Sequence, residues 1–200
     1  MKKMMLLGVL MLSAAAGYAQ ESRQDVSFSG TGFFGPQITA NGTQLNSTGS
    51  LGLLTSYRYM LTPHSALELN YSFTQNQQRY VISFNGPDGQ RVHSREQEMT
   101  GAYVYNLNFK RFSPFVEAGV GAIIFTPIRD FGTQTLDTKQ NTNIGGLFGA
   151  GVAYELSPSW DIRAEYRGFL LKSPDYGVAD FKTNRYEVLS IPAVGIAYHF

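Results

Sequence analysis

Residues 160–167 read Trp-Asp-Ile-Arg-Ala-Glu-Tyr-Arg, so that apolar and charged side chains alternate at every step. Successive side chains of a β-strand point to opposite faces of the sheet, whereas a helix would repeat every 3.6 residues. A strand here would have one uncharged face and one face with two arginines and two acids. The segment therefore predicts a strand that separates an apolar environment from a polar one.

Seven further segments have the same period of two, which predicts eight strands in all. They cover residues 26–34, 49–59, 67–74, 98–107, 116–124, 144–155, 160–170 and 186–200. Over all eight, one face holds no charged residue, and the charges share the other face. That second face carries Arg58, Glu68, Glu98, Glu117, Asp161, Arg163, Glu165, Arg167 and Glu187, together with Glu96 and Glu155.

The connections between these strands alternate in length. Three are tight, at residues 61–65, 108–113 and 156–159. Four are long and polar, at residues 36–48, 75–95, 127–143 and 172–184, and the second of them predicts a turn at 85–89. Short turns thus fall at one end and long loops at the other. An up-and-down antiparallel sheet of eight strands closes into a barrel and loses its exposed edges.

Alternation alone does not say which face is the interior, because a soluble lipocalin-like barrel has the same period with its apolar side turned in. The charged face also carries most of the Gly, Ala and Ser, which suits the lumen of a narrow barrel. Aromatic residues gather toward both ends, as in the girdles of membrane barrels, so we predict a transmembrane barrel. They are Tyr57, Tyr59, Tyr105, Phe115, Tyr154, Trp160 and Tyr198 near the short turns, and Phe34, Phe73, Phe125, Phe148 and Tyr186 near the long loops.

The first 19 residues predict a cleavable secretory signal peptide. Lys2 and Lys3 precede an apolar run of thirteen residues, Met4–Ala16, and small residues occupy positions −3 and −1 before Gln20. A membrane anchor is the alternative, but it needs about 20 apolar residues. The predicted organisation is therefore a signal peptide at 1–19 and one barrel domain at 20–200.

The composition excludes several functional classes. Charged residues make up 16% of the chain and aromatic residues 14%, which is too aromatic for a disordered protein. The net charge of +1 becomes −1 once Lys2 and Lys3 are removed, so no electrostatic footprint for nucleic acid remains. There is no Cys, which excludes a disulfide framework, a thiolate metal site and a Cys nucleophile.

The C-terminal segment has a pattern that indicates a particular family. Val194, Ile196, Tyr198 and Phe200 alternate with small or polar residues, and the chain ends on Phe. With the signal peptide and the barrel pattern, the chain resembles the small OmpA-like and OmpX-like outer-membrane barrels. The resemblance implies the outer membrane of a diderm bacterium and insertion by its assembly machinery through this terminal signal. Pro192 departs from a regular strand, and we expect it at a bulge or a missing hydrogen bond.

Charges inside a narrow barrel must pair, because an unpaired buried ion costs several kcal/mol. If Met60 faces Ala66 across the first tight turn, Arg58 lies opposite Glu68. We expect Arg163 and Arg167 to anchor the network. Their candidate partners are Glu98, Glu117 and Glu187. The network is either a structural core or a polar plug that opens into a narrow ion path, and we favour the structural core.

The sequence predicts no catalytic residue, no metal site and no cofactor. His64, His93 and His199 fall in different parts of the barrel, so no two share a metal. His93 and Ser94, with Glu96 nearby, look like part of a hydrolase. Adjacent strand residues point to opposite faces, however, which keeps the base from the hydroxyl.

The predicted function is structural, in a monomer that stabilises the outer membrane and displays its loops. In the loop at 75–95, Arg79, Tyr80, Arg91 and Arg95 are candidate contacts for lipopolysaccharide phosphates or a surface partner. A hairpin extension without a ligand is the simpler interpretation of that loop. A narrow ion-conducting pore and a lipid A-modifying enzyme are the alternative functions.

Overall fold

The computed structural model describes residues 23–40, 42–82, 90–129 and 138–200. The predicted signal peptide (1–19) and the predicted turn at 85–89 lie outside these ranges. The described chain forms strands and one 3₁₀ helix, Ala179–Phe181. The strands are β1 Gln24–Phe33, β2 Ile38–Ala40, β3 Thr43–Ser47, β4 Ser50–Thr62, β5 Ser65–Ile82, β6 Gln90–Asn106, β7 Phe112–Pro127, β8 Asn141–Ser157, β9 Trp160–Lys172 and β10 Tyr186–His199.

The eight long strands close into an antiparallel barrel. Strands β4 to β10 pair in chain order, β1 pairs with both β4 and β10, and the β5–β6 pairing completes the ring. Every long strand therefore has a neighbour on both sides, which leaves no open edge in the barrel wall. The predicted eight-stranded up-and-down barrel is confirmed.

The apolar face of each strand is the outside of the barrel. On β4, the side chains of Leu51 and Leu53 are 86% and 69% exposed, whereas Arg58 is only 3% exposed. Exposed Leu, Ile, Val and aromatic side chains continue around the wall on the other long strands. A continuous apolar surface of this kind marks contact with hydrocarbon. In the part of the chain that is described, no helix has the length and apolarity to span a membrane.

The two ends of the barrel differ as predicted, with short turns at one end. Those turns lie at Pro63 and His64, at Lys110 and Arg111, and at Pro158 and Ser159. At the other end, however, the loops predicted to be long and polar contain ordered structure. β5 and β6 stay paired up to Tyr80 and Gln90, and β2 and β3 add to the β5 edge. These strands were not predicted from the sequence because polar runs of Gln, Asn and Arg are typical of loops.

Pro192 interrupts the seam between β1 and β10. Their register runs from Asp25 opposite His199 to Thr31 opposite Ala193, and it resumes as a single bridge between Phe34 and Ser190. Since proline has no N–H, the ladder lacks a bond at this position. On its other side Pro192 keeps its place opposite Tyr166 of β9. The expected missing hydrogen bond is confirmed.

The interior of the barrel near the long loops is apolar, which the sequence pattern did not predict. A cluster of buried aliphatic and aromatic residues fills it, and we call this cluster the apolar plug. Phe125, expected in an outer girdle, is a member, and Phe115 is also inside the barrel. Both follow the strand alternation, on the face shared with Glu117. The plug comprises Phe33, Leu45, Tyr80, Val92, Ala102, Ile123, Phe125, Leu147, Phe169, Leu171, Tyr176, Phe181, Leu189 and Ile191.

Candidate functional site

The interior toward the short turns holds a cluster of charged side chains, which we call the ionic layer. Met60 does face Ala66, and Arg58 lies opposite Glu68. Arg58 Nη2 is 2.6 Å from Glu68 Oε2, and Arg58 Nε donates a hydrogen bond to the same oxygen. The register of one hairpin thus builds this pair. The layer consists of Asp25, Arg58, Glu68, Glu98, Glu117, Arg163, Glu165 and Arg167, all of them buried.

Arg163 joins this pair to the first strand. Its Nη2 donates to Asp25 Oδ1 at 3.0 Å, and its Nη1 is 3.8 Å from Glu68 Oε2. Asp25 was missed at the sequence level because the predicted strand began at Val26. It lies on the same alternating face as Ser27, which is the signal that would have found it.

Arg167 holds two carboxylates from neighbouring parts of the wall. Its Nη2 donates to Glu98 Oε1 at 2.7 Å, and its Nε is 3.4 Å from Glu117 Oε1. Gly149 lies between Arg167 and Glu117 in the register of β9, β8 and β7. A Cβ atom at Gly149 would overlap the Glu117 carboxylate. The glycine therefore supplies the space in which this pair forms.

Three predicted members of the network make no ion pair with an arginine in the described chain. Glu165 lies between Arg163 and Arg167 on β9, but among the described residues it makes no ion pair with either. Glu187 also has no arginine partner in the described chain and lies near Glu96 instead. Asp161 accepts from His199 Nε2 at 2.7 Å, near the short-turn end. Glu187 and Asp161, which were predicted to belong to the network, therefore lie outside the ionic layer.

An apolar layer closes the ionic layer toward the short turns. Phe115 packs with Ala66 and Val104, and Met60 lies against them. The guanidinium of Arg58 is 4.6 Å from the centre of the Phe115 ring, which is cation–π geometry. The charges therefore lie between two apolar regions, this one and the apolar plug.

Tyr80 does not lie on the surface, contrary to its predicted role as a contact residue. Its side chain is 0% exposed, inside the apolar plug. Its hydroxyl donates to the Pro174 carbonyl at 2.9 Å, and its ring stacks on Phe181 at 4.1 Å between centroids. The β5 strand continues past the apolar band, so the alternation that turns Arg79 outward turns Tyr80 inward.

The other three predicted contact residues lie on the outer face of the β5–β6 hairpin. Arg79 is directly opposite Arg91, and Arg95 is opposite Gln75. The Arg95 guanidinium is 6.0 Å from the Phe73 ring at the upper edge of the apolar band. Between residues 75–82 and 90–97 the one acidic residue, Glu96, is buried inside. We call Arg79, Arg91, His93 and Arg95 the basic strip.

The described residues do not bring the candidate hydrolase pair together and form no metal site. Ser94 is fully buried inside the barrel, whereas its neighbour His93 is on the outer face. His64 Nδ1 contacts the Asn106 carbonyl oxygen at the short-turn end. In the described part of the chain no three His, Asp or Glu side chains are grouped so that they could hold a metal ion.

The residues of the predicted assembly signal lie on the outer face of β10. Val194 and Ile196 are exposed beside Phe28 of β1, and Tyr198 packs on Trp160 with centroids 4.9 Å apart. The Phe200 N–H donates to the Gln24 carbonyl. These side chains belong to the lipid-facing band and to its aromatic edge.

Similar folds occur among outer-membrane proteins. The Neisserial surface protein A has a TM-score of 0.62 and 14% identity, with 90% of this chain and 98% of that one covered. OprG from Pseudomonas aeruginosa has a TM-score of 0.62 and 13% identity, over 88% and 95%. Ail of Yersinia pestis, in complex with the heparin analogue sucrose octasulfate, has a TM-score of 0.53 and 15% identity, over 89% and 99%.

At these identities the shared property is the fold alone. Among curated proteins, no sequence matches this chain. The family model described as "Outer membrane protein beta-barrel domain" matches residues 4–200. In outer-membrane barrels the short turns face the periplasm and the long loops face the exterior, which orients this barrel in the membrane. The chain belongs to the family of bacterial outer-membrane proteins with this β-barrel domain.

Proposed function

We propose that this protein is a sealed, monomeric and non-enzymatic barrel that stabilises the outer membrane by holding lipopolysaccharide phosphates on its basic strip. Export would use a cleaved signal peptide at residues 1–19, and insertion would use the outer-membrane assembly machinery. The observation that carries the proposal is the position of the basic strip directly above the apolar band.

The charge and height of the strip support this ligand. Arg95 lies over Phe73, at the boundary between hydrocarbon and headgroups, and Arg91 is four residues further out. At about 3.3 Å per residue along a strand tilted by roughly 40°, the strip rises about 10 Å above the boundary, which is the region of lipid A phosphates and inner sugars. Guanidinium groups bind phosphate through paired hydrogen bonds.

The facing arginines concentrate positive charge on the outer face of the hairpin, because Arg79 lies directly opposite Arg91. Guanidinium groups so placed suit a polyanionic ligand. The Ail structure, determined with sucrose octasulfate, is an example of this fold with a polyanion.

The filled interior supports a structural rather than a transport role. The ionic layer lies between the apolar plug and the layer around Phe115. Ions would have to cross both apolar regions, which a narrow barrel packed with side chains does not permit. We therefore expect no stepwise current from the purified protein in planar bilayers. Regular current steps would contradict the sealed state.

The lipid contact is tested with the triple variant Arg79→Gln, Arg91→Gln and Arg95→Gln. We expect lipopolysaccharide that co-purifies with the barrel to fall by at least roughly tenfold, since the loss of a single charged hydrogen bond, at about 1.5–3 kcal/mol, already weakens binding by that factor. The cells should also become more sensitive to detergent. Dephosphorylated lipopolysaccharide should bind the wild type as weakly as intact lipopolysaccharide binds the variant.

A second triple variant controls for the loss of charge. Arg23, Lys110 and Arg111 lie at the short-turn end and are exposed. Replacing these three with Gln removes the same charge at the periplasmic end, and lipopolysaccharide binding should stay at the wild-type level. Equal losses in both variants, or none in either, would reject the basic strip as the site.

A further inference from the structure

We propose that residues 173–185, which we call the lid, are a built-in occupant of a ligand site inside the long-loop end of the barrel. The lid fills this site with Tyr176 and Phe181. The ligand that would displace it is a small aromatic molecule with one hydroxyl group. This site is inside the wall and separate from the basic strip, so each can fail without the other.

The wall of the site belongs to the barrel and not to the lid. Phe33, Phe125, Leu171 and Leu189 come from four different long strands, and all are buried. The interior of an outer-membrane barrel is normally polar. A concave apolar wall with a few polar groups is instead typical of small-molecule sites.

The aromatic groups of the lid contact this wall as ring ligands do. Phe181 stacks on Tyr80 with 4.1 Å between centroids and 12° between planes. Tyr176 meets the edges of Tyr80 and Phe125, each at 6.4 Å between centroids and close to perpendicular. Stacked and edge-to-face pairs are the favourable aromatic arrangements. The site therefore offers an aromatic ligand one stacking contact and two edge-to-face contacts.

The side-chain oxygen of Gln78 is the reason why the proposed ligand carries a hydroxyl group. Tyr176 Oη donates to Gln78 Oε1 at 3.1 Å. Tyr80 Oη is 3.0 Å from the same oxygen and shares its one proton between that oxygen and the Pro174 carbonyl. Ser94 lies beside Tyr176 and Glu96, and Gln78 Nε2 donates to Glu96 Oε1 at 3.4 Å. Ser94 and Glu96 are both buried. A phenol bound here would have the Gln78 acceptor, with further polar groups within the same site.

The lid is attached in a way that permits it to leave. Its base is closed by the Ser173 N–H, which donates to the Arg185 carbonyl. Tyr176, near the start of the lid, and Asn184, near its end, have φ angles of 50° and 53°, the left-handed region that side chains other than glycine rarely adopt. The docked form thus holds an aromatic residue in an unfavourable backbone conformation.

Few bonds fix the lid to the rim. Thr43 Oγ1 donates to the Asp180 carbonyl at 2.8 Å, and Asn141 Nδ2 donates to Asp175 Oδ1 at 3.2 Å. The Lys139 N–H donates to the Tyr176 carbonyl. None of these forms a strand ladder. The Tyr80 hydroxyl adds a bond to the Pro174 carbonyl at 2.9 Å. A ligand that replaces the ring contacts therefore competes with these bonds and not with a strand ladder.

The test uses 4-fluorophenol, a ring with one hydroxyl and a fluorine label, on the full-length wild-type protein in detergent micelles. Binding is followed by fluorine NMR, and lid opening by the rate of trypsin cleavage after Lys182. Phe181 and Thr183, the residues before and after Lys182, are buried in the docked lid. We expect saturating 4-fluorophenol to raise the cleavage rate by roughly tenfold, because a ligand that binds only the open form shifts the population toward it.

A disulfide-locked variant is the matched control. The chain has no Cys, so Thr43→Cys with Asp180→Cys provides the only two thiols, next to an existing contact between the lid and β3. The oxidised variant should neither bind 4-fluorophenol nor be cleaved faster, and reduction should restore both. Micelle partitioning is the same for both forms and cancels in the comparison.

The hydroxyl is tested separately with fluorobenzene, which lacks it. The wild type should bind fluorobenzene at least roughly tenfold more weakly than 4-fluorophenol, because Gln78 would lose a donor. In a Gln78→Leu variant this preference should disappear, and Tyr80→Phe is the second variant if Gln78→Leu does not fold. Unchanged cleavage of the wild type at saturation, or equal acceleration in the locked variant, would overturn the proposal.

Discussion

Toward the periplasm, the barrel interior is held by arginines and carboxylates, whereas toward the exterior it is filled by aromatic and aliphatic side chains. Both halves use the same alternation along the same strands. On β9, Arg163 and Arg167 are followed on the same face by Phe169 and Leu171. A single strand thus changes the chemistry of its inner face halfway along, while its outer face stays apolar.

The difference shows that the two halves resist change in different ways. Each ion pair in the ionic layer is directional, and losing one partner leaves a buried charge without compensation. The apolar plug has no such requirement, because burial of apolar surface is not directional. The lid can therefore dissociate and dock again as a unit, whereas the ionic layer must be complete.

Replacing Arg167 with Met should lower the free energy of unfolding more than any other change proposed here. The variant leaves Glu98 and Glu117 without the cation between them, at a cost of about 3–5 kcal/mol in unfolding free energy. The measurement is urea unfolding in micelles, followed by the gel shift between folded and heated protein.

The companion variant adds Glu98→Gln and Glu117→Gln to Arg167→Met. Removing the whole charged group should recover most of the lost stability. Arg95→Met, on the outer face, should change stability by less than about 1 kcal/mol. If the triple variant were as unstable as Arg167→Met alone, the loss would come from packing and not from stranded charge.

Replacing Gly149 with Ala should have an intermediate effect. The new methyl group would meet the Glu117 carboxylate and the Tyr166 carbonyl oxygen, so we expect a loss of about 1–3 kcal/mol. The same unfolding measurement applies. Gly101→Ala is the matched control, since its methyl group would meet only Leu69 Cδ2, at 3.8 Å. Equal losses at the two positions would show that close packing around Arg167 does not limit stability.

The smallest effect should be an alkaline opening of the lid. Burial raises the pKa of Tyr176 well above its usual value near 10. The neutral phenol is thus favoured in the docked lid, so its contribution is complete below about pH 10 and is lost as the pH rises through the raised pKa. Tyr80, Glu96 and Glu187 face this group.

The measurement is absorbance at 295 nm after a rapid jump to alkaline pH. The difference between wild type and Tyr176→Phe should show a slow ionisation that waits for the lid to open, with Tyr80→Phe as companion for the second phenol. The Tyr176→Phe variant should lose about 0.5–1.5 kcal/mol with its hydrogen bond to Gln78. Immediate ionisation with a midpoint near pH 10 would contradict a docked, buried tyrosine.

The sequence predicted what depends on a single strand or a single tight turn. Alternation placed Arg163 and Arg167 inside, and the turn between β4 and β5 set Arg58 opposite Glu68. Asp25 was missed only because the start of β1 was set two residues late, at Val26 and not at Gln24. These features are local, since the period of two determines the face and the turn determines the register.

The apolar plug could not be predicted in the same way. Tyr80 lies in a polar segment, and Phe181 lies in a connection without strand periodicity. Their burial depends on the lid folding back across the mouth of the barrel, a contact between residues about a hundred positions apart. Gln78 acquires Tyr176 as a donor only through that contact, so no pattern within either segment indicates it.

The gap at Pro192 affects how the cylinder is completed during biogenesis. The first and last strands come together only when nearly the entire polypeptide is available, which makes their joint the most non-local pairing in the molecule. If β1 and β10 pair from the periplasmic side, their hydrogen bonds form in sequence as far as Thr31 and Ala193. The next hydrogen bond, at Pro192, cannot form. The outer portion of that joint is consequently the last part of the wall to seal and the first at which amide hydrogens should exchange with solvent.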